Sequence, residues 1–158
     1  MVKSLKDQRG FSLQELLIVM GITAVLATIG IPSYLSTRHR YTIDGETEKL
    51  IAHIREGVDR ARSRQGGSAW GFGFNNGAQD WYELLEGGVS GTSTNRVYLN
   101  SGVEFTSTTT SVTFSGGPSV NILGSNLTIG LQTTNGQFTD TITVDTFGRV
   151  SRTSNYDN

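Results

Sequence analysis

The chain has 158 residues, a formal net charge of −1 and no cysteine. That length fits one domain, or one domain with an attachment segment. The lack of cysteine excludes disulfides and structural thiolate metal sites, so the core has to hold together without covalent cross-links. Hydrophobic residues make up 35% of the sequence and the mean hydropathy is −0.23, so most of the chain is polar enough to fold in water.

The apolar residues are concentrated near the N-terminus. The run from Leu16 to Ile31 carries no charge, and together with Phe11–Leu13 it approaches the roughly 20 residues that span a bilayer. Three basic residues precede the run, and Asp7 alone opposes them: Lys3, Lys6 and Arg9. The positive-inside rule therefore places the N-terminus in the cytoplasm and the C-terminal bulk of the chain across the membrane.

Glu15 lies near the start of this apolar stretch. An ionised carboxylate there costs on the order of a few kcal/mol on membrane-insertion scales, and less near the interface than at the centre. A secretory signal peptide is a poor explanation, because the run is long and Gly30-Ile31-Pro32 does not resemble a small-residue cleavage site. A plain single-pass anchor explains the length and orientation but leaves Glu15 without a role.

A third interpretation accounts for more residues. The segment Arg9-Gly10-Phe11-Ser12-Leu13-Gln14-Glu15-Leu16-Leu17 resembles the class III signal of type IV prepilins and pseudopilins. The resemblance implies that residues 1–10 are a leader, that prepilin peptidase cuts between Gly10 and Phe11, and that Phe11 becomes the N-methylated N-terminus. It also implies that Glu15 is the family's acidic residue and Pro32 its helix-kinking proline.

Physical chemistry gives Glu15 a role in that setting. Cleavage leaves a positive amine on Phe11, and a carboxylate in a filament core can pair with the amine of a neighbouring subunit. Since burying either partner alone is costly, Glu15 is predicted to set the register of assembly. Pro32 lacks an N–H and Gly30 weakens the same turn, so a kink or a melted turn is expected between Thr28 and Ser33.

Residues 35–66 are predicted to form an amphipathic helix that continues the transmembrane or filament-core helix at 11–34. Asp44 could cap a restart of the helix, because Gly45 weakens continuity there, and Gln65-Gly66-Gly67 ends it. Apolar side chains recur at intervals of three and four, as expected for one buried stripe: Ile43, Thr47, Leu50, Ile51, Ile54, Val58 and Ala61.

Residues 67–158 change to a period of two, which is typical of half-buried strands separated by Gly- and Asn-rich turns. We expect six to eight short antiparallel strands, with Asp80–Leu85 either a strand or a helical turn. The fold class is therefore α+β, a long N-terminal helix packed on an extracytoplasmic antiparallel sheet. The alternating positions are Trp70/Phe72/Phe74, Val97/Leu99, Val103/Phe105, Val112/Phe114, Leu127/Ile129/Leu131 and Ile142/Val144.

Three further segments are similar to the GspH/FimT-type minor pseudopilins: the helix end 59–64, Trp70-Gly71-Phe72, and the stretch 145–150, Asp-Thr-Phe-Gly-Arg-Val. This resemblance implies a minor pilin or pseudopilin of a type II secretion pseudopilus or a type IV pilus. Its partners would be other pilins, the prepilin peptidase, the inner-membrane assembly platform and, before assembly, the bilayer. A major pilin is the alternative within the same superfamily, but many major pilins close a C-terminal loop with a disulfide, which this chain cannot form.

Neither a metal site nor a cofactor is expected. His39 and His53 are too far apart in sequence to form a helical ligand pair. A calcium site resembling that of major pseudopilins would draw on Asp140, Asp145 and Asp157, but the first two lie five residues apart and so on opposite faces of a strand. We find no catalytic residue, because no nucleophile elbow, phosphate loop or paired-carboxylate spacing is present.

DNA binding is the remaining alternative. Gly148-Arg149-Val150-Ser151-Arg152 loosely resembles the C-terminal end of the FimT-type minor pilins that take up DNA. Without its leader the chain would have ten basic and thirteen acidic residues, which is not the field of a DNA-binding domain. We therefore expect a closing strand with Val150 packed inward and Arg149 and Arg152 exposed to solvent.

Overall fold

The computed structural model describes residues 11–63, 69–108, 110–115 and 122–156. Over these residues one long helix is followed by antiparallel strands, which confirms the predicted α+β class and its pilin-like order. The elements are α1 (Leu13–Arg62), β1 (Trp70–Asn75), β2 (Trp81–Glu86), β3 (Thr92–Tyr98), β4 (Val103–Phe105), β5 (Thr110–Phe114), β6 (Leu127–Thr133), β7 (Phe138–Val144) and β8 (Val150–Tyr156).

The chain divides into two compact units, Met1–Arg38 and His39–Asn158. The described part of the first unit is helical from Leu13 onward. The second unit contains the remainder of α1 and all of the described strands. The buried core lies entirely in the second unit, where apolar residues of α1 pack with both sheets.

A kink or a melted turn was predicted between Thr28 and Ser33, and α1 continues through Pro32, so the turn is not melted. A proline removes one N–H from the helix, and the turns on either side keep their own hydrogen bonds. The Thr28 hydroxyl donates to the carbonyl oxygen of Val25 at 2.6 Å, which adds a contact within the same turn. A Cβ on Gly30 would meet nothing within 4 Å. The kink at Gly30 and Pro32 stays a prediction.

The second half of α1 buries the predicted stripe: Ile43, Thr47, Leu50, Ile51, Ile54, Val58 and Ala61. The prediction that the helix restarts at Asp44 is wrong, because α1 is continuous there. Gly45 lies on the exposed side of the helix, and its cost of about 1 kcal/mol relative to alanine is small beside the burial of the stripe. Gly57 is buried, and a Cβ there would lie 2.7 Å from Leu84 Cδ2, so this glycine lets the helix approach β2 closely.

The strands form two four-stranded sheets with the orders β3-β2-β1-β5 and β4-β6-β7-β8. All pairs are antiparallel, and β1 lies between β2 and β5 with Phe72 opposite both Leu84 and Val112. The segment that could have been a helical turn forms β2. The predicted alternation is confirmed on the inner faces, where the aromatic side chains of Phe72, Phe74 and Phe114 are almost completely buried.

Asp80 joins the β1–β2 turn to β4, which belongs to the other sheet. One carboxylate oxygen accepts a hydrogen bond from the Gly77 N–H at 3.0 Å, and the other accepts one from the Phe105 N–H at 2.6 Å. Asn76 Nδ2 donates to the Phe105 carbonyl oxygen at 2.7 Å, so both backbone groups of Phe105 are bound by side chains of this turn. The carboxylate is buried, and its hydrogen bonds link the two sheets.

We predict that Asp80→Ala lowers the free energy of unfolding by roughly 2–4 kcal/mol, because the buried Phe105 N–H and the part-buried Gly77 N–H lose their acceptor. Urea unfolding of the detergent-solubilised protein measures this value. The matched control is Asp59→Ala, which removes an exposed carboxylate on α1 and should cost less than about 1 kcal/mol. Equal effects of the two substitutions would contradict the role given to Asp80.

Candidate assembly site and C-terminal arginines

The N-terminus of α1 is a capping box made by Ser12 and Glu15. The Glu15 N–H donates to Ser12 Oγ at 3.2 Å, while the Ser12 N–H and hydroxyl donate to Glu15 Oε2 at 2.9 and 3.1 Å. This reciprocal pattern satisfies N–H groups that a helix end otherwise leaves without partners. The Ser-x-x-Glu spacing signals this motif in the sequence, but Ser12 was not among the predicted site residues.

The other predicted processing residues lie at or beyond this helix end. Gly10 is outside the described residues. Phe11 is 88% exposed and precedes the first helical residue, Leu13. Glu15 is exposed in the first turn, beside the apolar surface that begins at Leu16.

The apolar side chains of the first unit are exposed. They include Leu16, Leu17, Ile18, Val19, Met20, Ile22, Val25, Leu26, Ile29, Ile31 and Leu35. An 18-residue window of α1 has a mean hydropathy of 2.2 and is not buried at all, so the helix is long and apolar enough to cross a membrane. Exposed patches of this size mark surfaces that bind protein or lipid. No described residue of this chain covers them.

Arg149 belongs to a turn organised by Asp145. The Arg149 N–H and Nε both donate to the Asp145 carboxylate, at 2.8 and 2.6 Å, and the Phe147 N–H donates to it at 3.0 Å. Burial alone would raise the pKa of Asp145, but these donors and the guanidinium charge hold it below its ordinary value. The side chain of Arg149 is 76% exposed, which confirms the predicted exposure of this residue.

The backbone conformation and close packing at position 148 explain why this turn has a glycine there. Its φ is +77°, and a Cβ would lie 2.8 Å from Val58 Cγ1, so a side chain here would be strained and would clash with α1. The turn is also held from the helix side, where Arg62 Nη2 donates to the Phe147 carbonyl oxygen at 2.7 Å. The Gly-Arg sequence that the resemblance singled out therefore docks the turn on the end of the helix.

Arg152 does not point into solvent, so the prediction of an exposed side chain is wrong. Its guanidinium contacts Asp44, donates to Glu48 Oε1 at 3.3 Å and donates to Asp140 Oδ2 at 2.7 Å. The same Asp140 oxygen accepts the Thr47 hydroxyl at 2.7 Å. The register of β8 is the physical reason, because Arg152 is opposite Ile142 of β7 and therefore shares the inner, helix-facing side of the sheet.

The two histidines and the three aspartates considered for metals have other surroundings. His39 Nδ1 lies 2.9 Å from Asn135 Nδ2, and His53 packs edge-on against Tyr82 with ring centroids 5.2 Å apart. Asp140 and Asp145 bind different arginines, and Asp157 lies outside the described residues. In the described ranges, no three His, Asp or Glu side chains are grouped so that they could hold a metal ion.

Residues 5–31 match the family described as the prokaryotic N-terminal methylation motif. This motif indicates a type IV pilin-like protein that is processed as a prepilin, and it points to a structural subunit. It implies processing by prepilin peptidase and assembly with other pilins, and together with the apolar N-terminal helix it fits a membrane-anchored pilin. No curated protein and no solved structure matches the chain.

We predict that Arg152→Ala destabilises the second unit by roughly 3–5 kcal/mol, because it leaves the fully buried Asp140 carboxylate without its cation. Arg149→Ala is the matched control, and its exposed ion pair should contribute less than about 1 kcal/mol. Urea unfolding of the two variants compares these values. A loss for Arg152→Ala as small as the loss for Arg149→Ala would contradict the buried ion-pair network.

We predict that His53 makes the domain less stable in acid. Burial lowers the pKa of His53, although the Glu56 carboxylate opposes this shift, so the folded state favours the neutral ring. The unfolded chain takes up a proton below about pH 6.5, and stability should therefore fall as the pH drops from about 6.5 towards the lowered pKa. The midpoint of urea unfolding between pH 7 and pH 5 measures the effect. His53→Gln should weaken this dependence, and an unchanged dependence in that variant would contradict the assignment.

Proposed function

We propose that the chain is a minor pilin or pseudopilin, assembled through the first half of α1 into a type II secretion pseudopilus or a type IV pilus. The observation that carries the proposal is the match of residues 5–31 to the methylation motif on a helix whose apolar side chains are exposed. Lipid covers such a surface before assembly, and the helices of other pilins cover it in the filament.

In this proposal residues 1–10 are removed by prepilin peptidase at the Gly10–Phe11 bond, and Phe11 becomes the methylated N-terminus. Residues 11–34 form the transmembrane and filament-core helix, with Gly30 and Pro32 as the point of bending. Residues 35–66 continue as the amphipathic helix, and residues 67–158 form the extracytoplasmic domain. The basic residues before Gly10 keep the N-terminus in the cytoplasm, and the domain lies on the far side of the inner membrane.

Glu15 has the chemistry for an assembly contact. Within its own chain, Oε2 accepts the hydrogen bonds of Ser12, and no hydrogen bond of a described residue reaches Oε1. The capping box thus compensates part of the carboxylate charge in the separate subunit. In the filament, Oε1 can accept a hydrogen bond from the Phe11 amine of a neighbouring subunit. An arrangement of subunits that leaves either charge unpaired in the apolar core is disfavoured.

The kind of filament rests on the weaker resemblance to the GspH/FimT-type minor pseudopilins. Gly148 supports that resemblance, because the absence of a side chain lets the Gly-Arg turn pack closely against Val58 of α1. A major pilin remains the alternative within the same superfamily. A DNA-uptake pilin is disfavoured, because Arg152 is engaged by three carboxylates and Arg149 by Asp145.

We predict that mass spectrometry of the membrane-extracted protein finds a chain that begins at N-methylated Phe11. Gly10→Glu should leave the leader attached, because the peptidase has to accept a small residue at the cleavage site. The control is Gly30→Ala, which lies far from the bond and has open space for a methyl group, so it should be processed normally. A mature N-terminus at or beyond Pro32 would contradict the proposal and indicate a secretory signal.

A further inference from the structure

The two sheets have four edge strands, β3 and β5 in one sheet and β4 and β8 in the other. An edge strand presents backbone N–H and C=O groups along the side that no other strand pairs with. Because such a row can accept a foreign strand, proteins protect it with short strands, bulges, prolines or charged side chains. The four edges of this domain differ in how far they have such protection.

Two of the edges, β4 and β3, have a feature that hinders pairing with a further strand. β4 is only three residues long, Val103–Phe105. β3 contains a register shift opposite Leu84 and Leu85, and the Thr94 hydroxyl donates to the Leu84 carbonyl oxygen at 3.0 Å at this irregularity. A bulge of this kind interrupts the edge and increases its twist, which hinders the addition of a further strand.

β8 has none of these features, and it is longer than β5, the remaining edge strand, which has five residues. It is seven residues long and pairs with β7 in an unbroken register, from Val150 opposite Val144 to Tyr156 opposite Phe138. It contains no lysine and no proline, and its one charged side chain, Arg152, is held on the helix side by carboxylates. Within the described part of the chain no strand pairs with the outer side of β8.

Acidic side chains lie beside this edge. Three carboxylates meet the single guanidinium of Arg152, those of Asp44, Glu48 and Asp140. The Glu48 side chain is 64% exposed on the flank of α1, whereas that of Asp140 is fully buried. A strand laid along β8 would bring its helix-facing side chains close to Glu48, where lysine or arginine is favoured and glutamate or aspartate is disfavoured.

We propose that the free edge of β8 binds an extended segment of a partner chain, which adds a fifth strand to the β4-β6-β7-β8 sheet and directs a lysine or arginine towards Glu48. Backbone hydrogen bonds would supply the affinity, and the charge would supply the selectivity. A second copy of this chain is a poor occupant, because two paired β8 strands would bring two carboxylate clusters together. The contact is additional to assembly through the N-terminal helix.

Hydrogen exchange on the full-length protein in detergent micelles tests the proposal. The probe is a synthetic peptide of about nine residues in which threonine and valine alternate and two threonines on one face are replaced by lysine. Its matched control carries glutamate at the same two positions. The lysine peptide should slow amide exchange in residues 150–156 and bind about fivefold or more tightly than the glutamate peptide, with the difference shrinking as salt is raised.

A charge reversal on the protein makes the test sharper. Glu48→Lys should invert the preference so that the glutamate peptide binds more tightly. Glu86→Lys, an exposed carboxylate on the other sheet, should leave the preference unchanged. The proposal is overturned by unchanged exchange in β8 at millimolar lysine peptide, by equal binding of the two peptides, or by protection of β8 that grows with protein concentration when no peptide is present.

Discussion

The apolar surface of the first half of α1 is the constraint on which the rest of the molecule depends. From Phe11 to Thr37 the only charged residue is Glu15, and no described residue of the chain covers the apolar side chains. Such a surface is stable only in lipid or against other helices. Burying the Glu15 carboxylate at the edge of this surface costs free energy, which an ionic partner can offset. The hydrogen bonds from Ser12 offset only part of that cost.

The second unit has a core of its own. Polar and aromatic contacts join the second half of α1 to the strands. Arg152 of β8 binds Asp44 and Glu48, and His53 packs against Tyr82 of β2. Burial, together with the nearby Glu46 charge, raises the pKa of Tyr82 to about 12, so this ring stays neutral at any physiological pH. The chain has no cysteine, so non-covalent contacts such as these and the hydrogen bonds of Asp80 connect its elements in place of disulfides.

The sequence was sufficient wherever a period of hydrophobic residues determined the answer. The stripe from Ile43 to Ala61 is buried as predicted, and the alternating positions of the strands are buried or partly buried, because removing apolar surface from water is the main favourable contribution there. It was insufficient where one polar group had several possible partners. The inward position of Arg152 depends on the pairing of β8 with β7, and the link made by Asp80 depends on β4 lying beside the β1–β2 turn, neither of which follows from local pattern.

Pro32 shows how little a local preference determines. It predicted a kink or a melted turn, and the helix continues through the proline without melting. The N-terminal motif, by contrast, could be recognised from a few residues, since Gly10, Phe11 and Glu15 lie within the matched residues 5–31.

Incorporation of Glu15→Gln into filaments is the most direct measurement of the central claim. Glutamine keeps an oxygen for the Ser12 hydrogen bonds but removes the charge, so the variant should accumulate in the membrane with a protease-resistant domain. Its ratio of filament to membrane protein should fall by about tenfold or more, because the amine of the neighbouring subunit loses its ionic partner. Glu86→Gln, which neutralises an exposed carboxylate of β2, serves as the control and should leave that ratio unchanged. Wild-type incorporation of Glu15→Gln would contradict the proposal that this carboxylate sets the register of assembly.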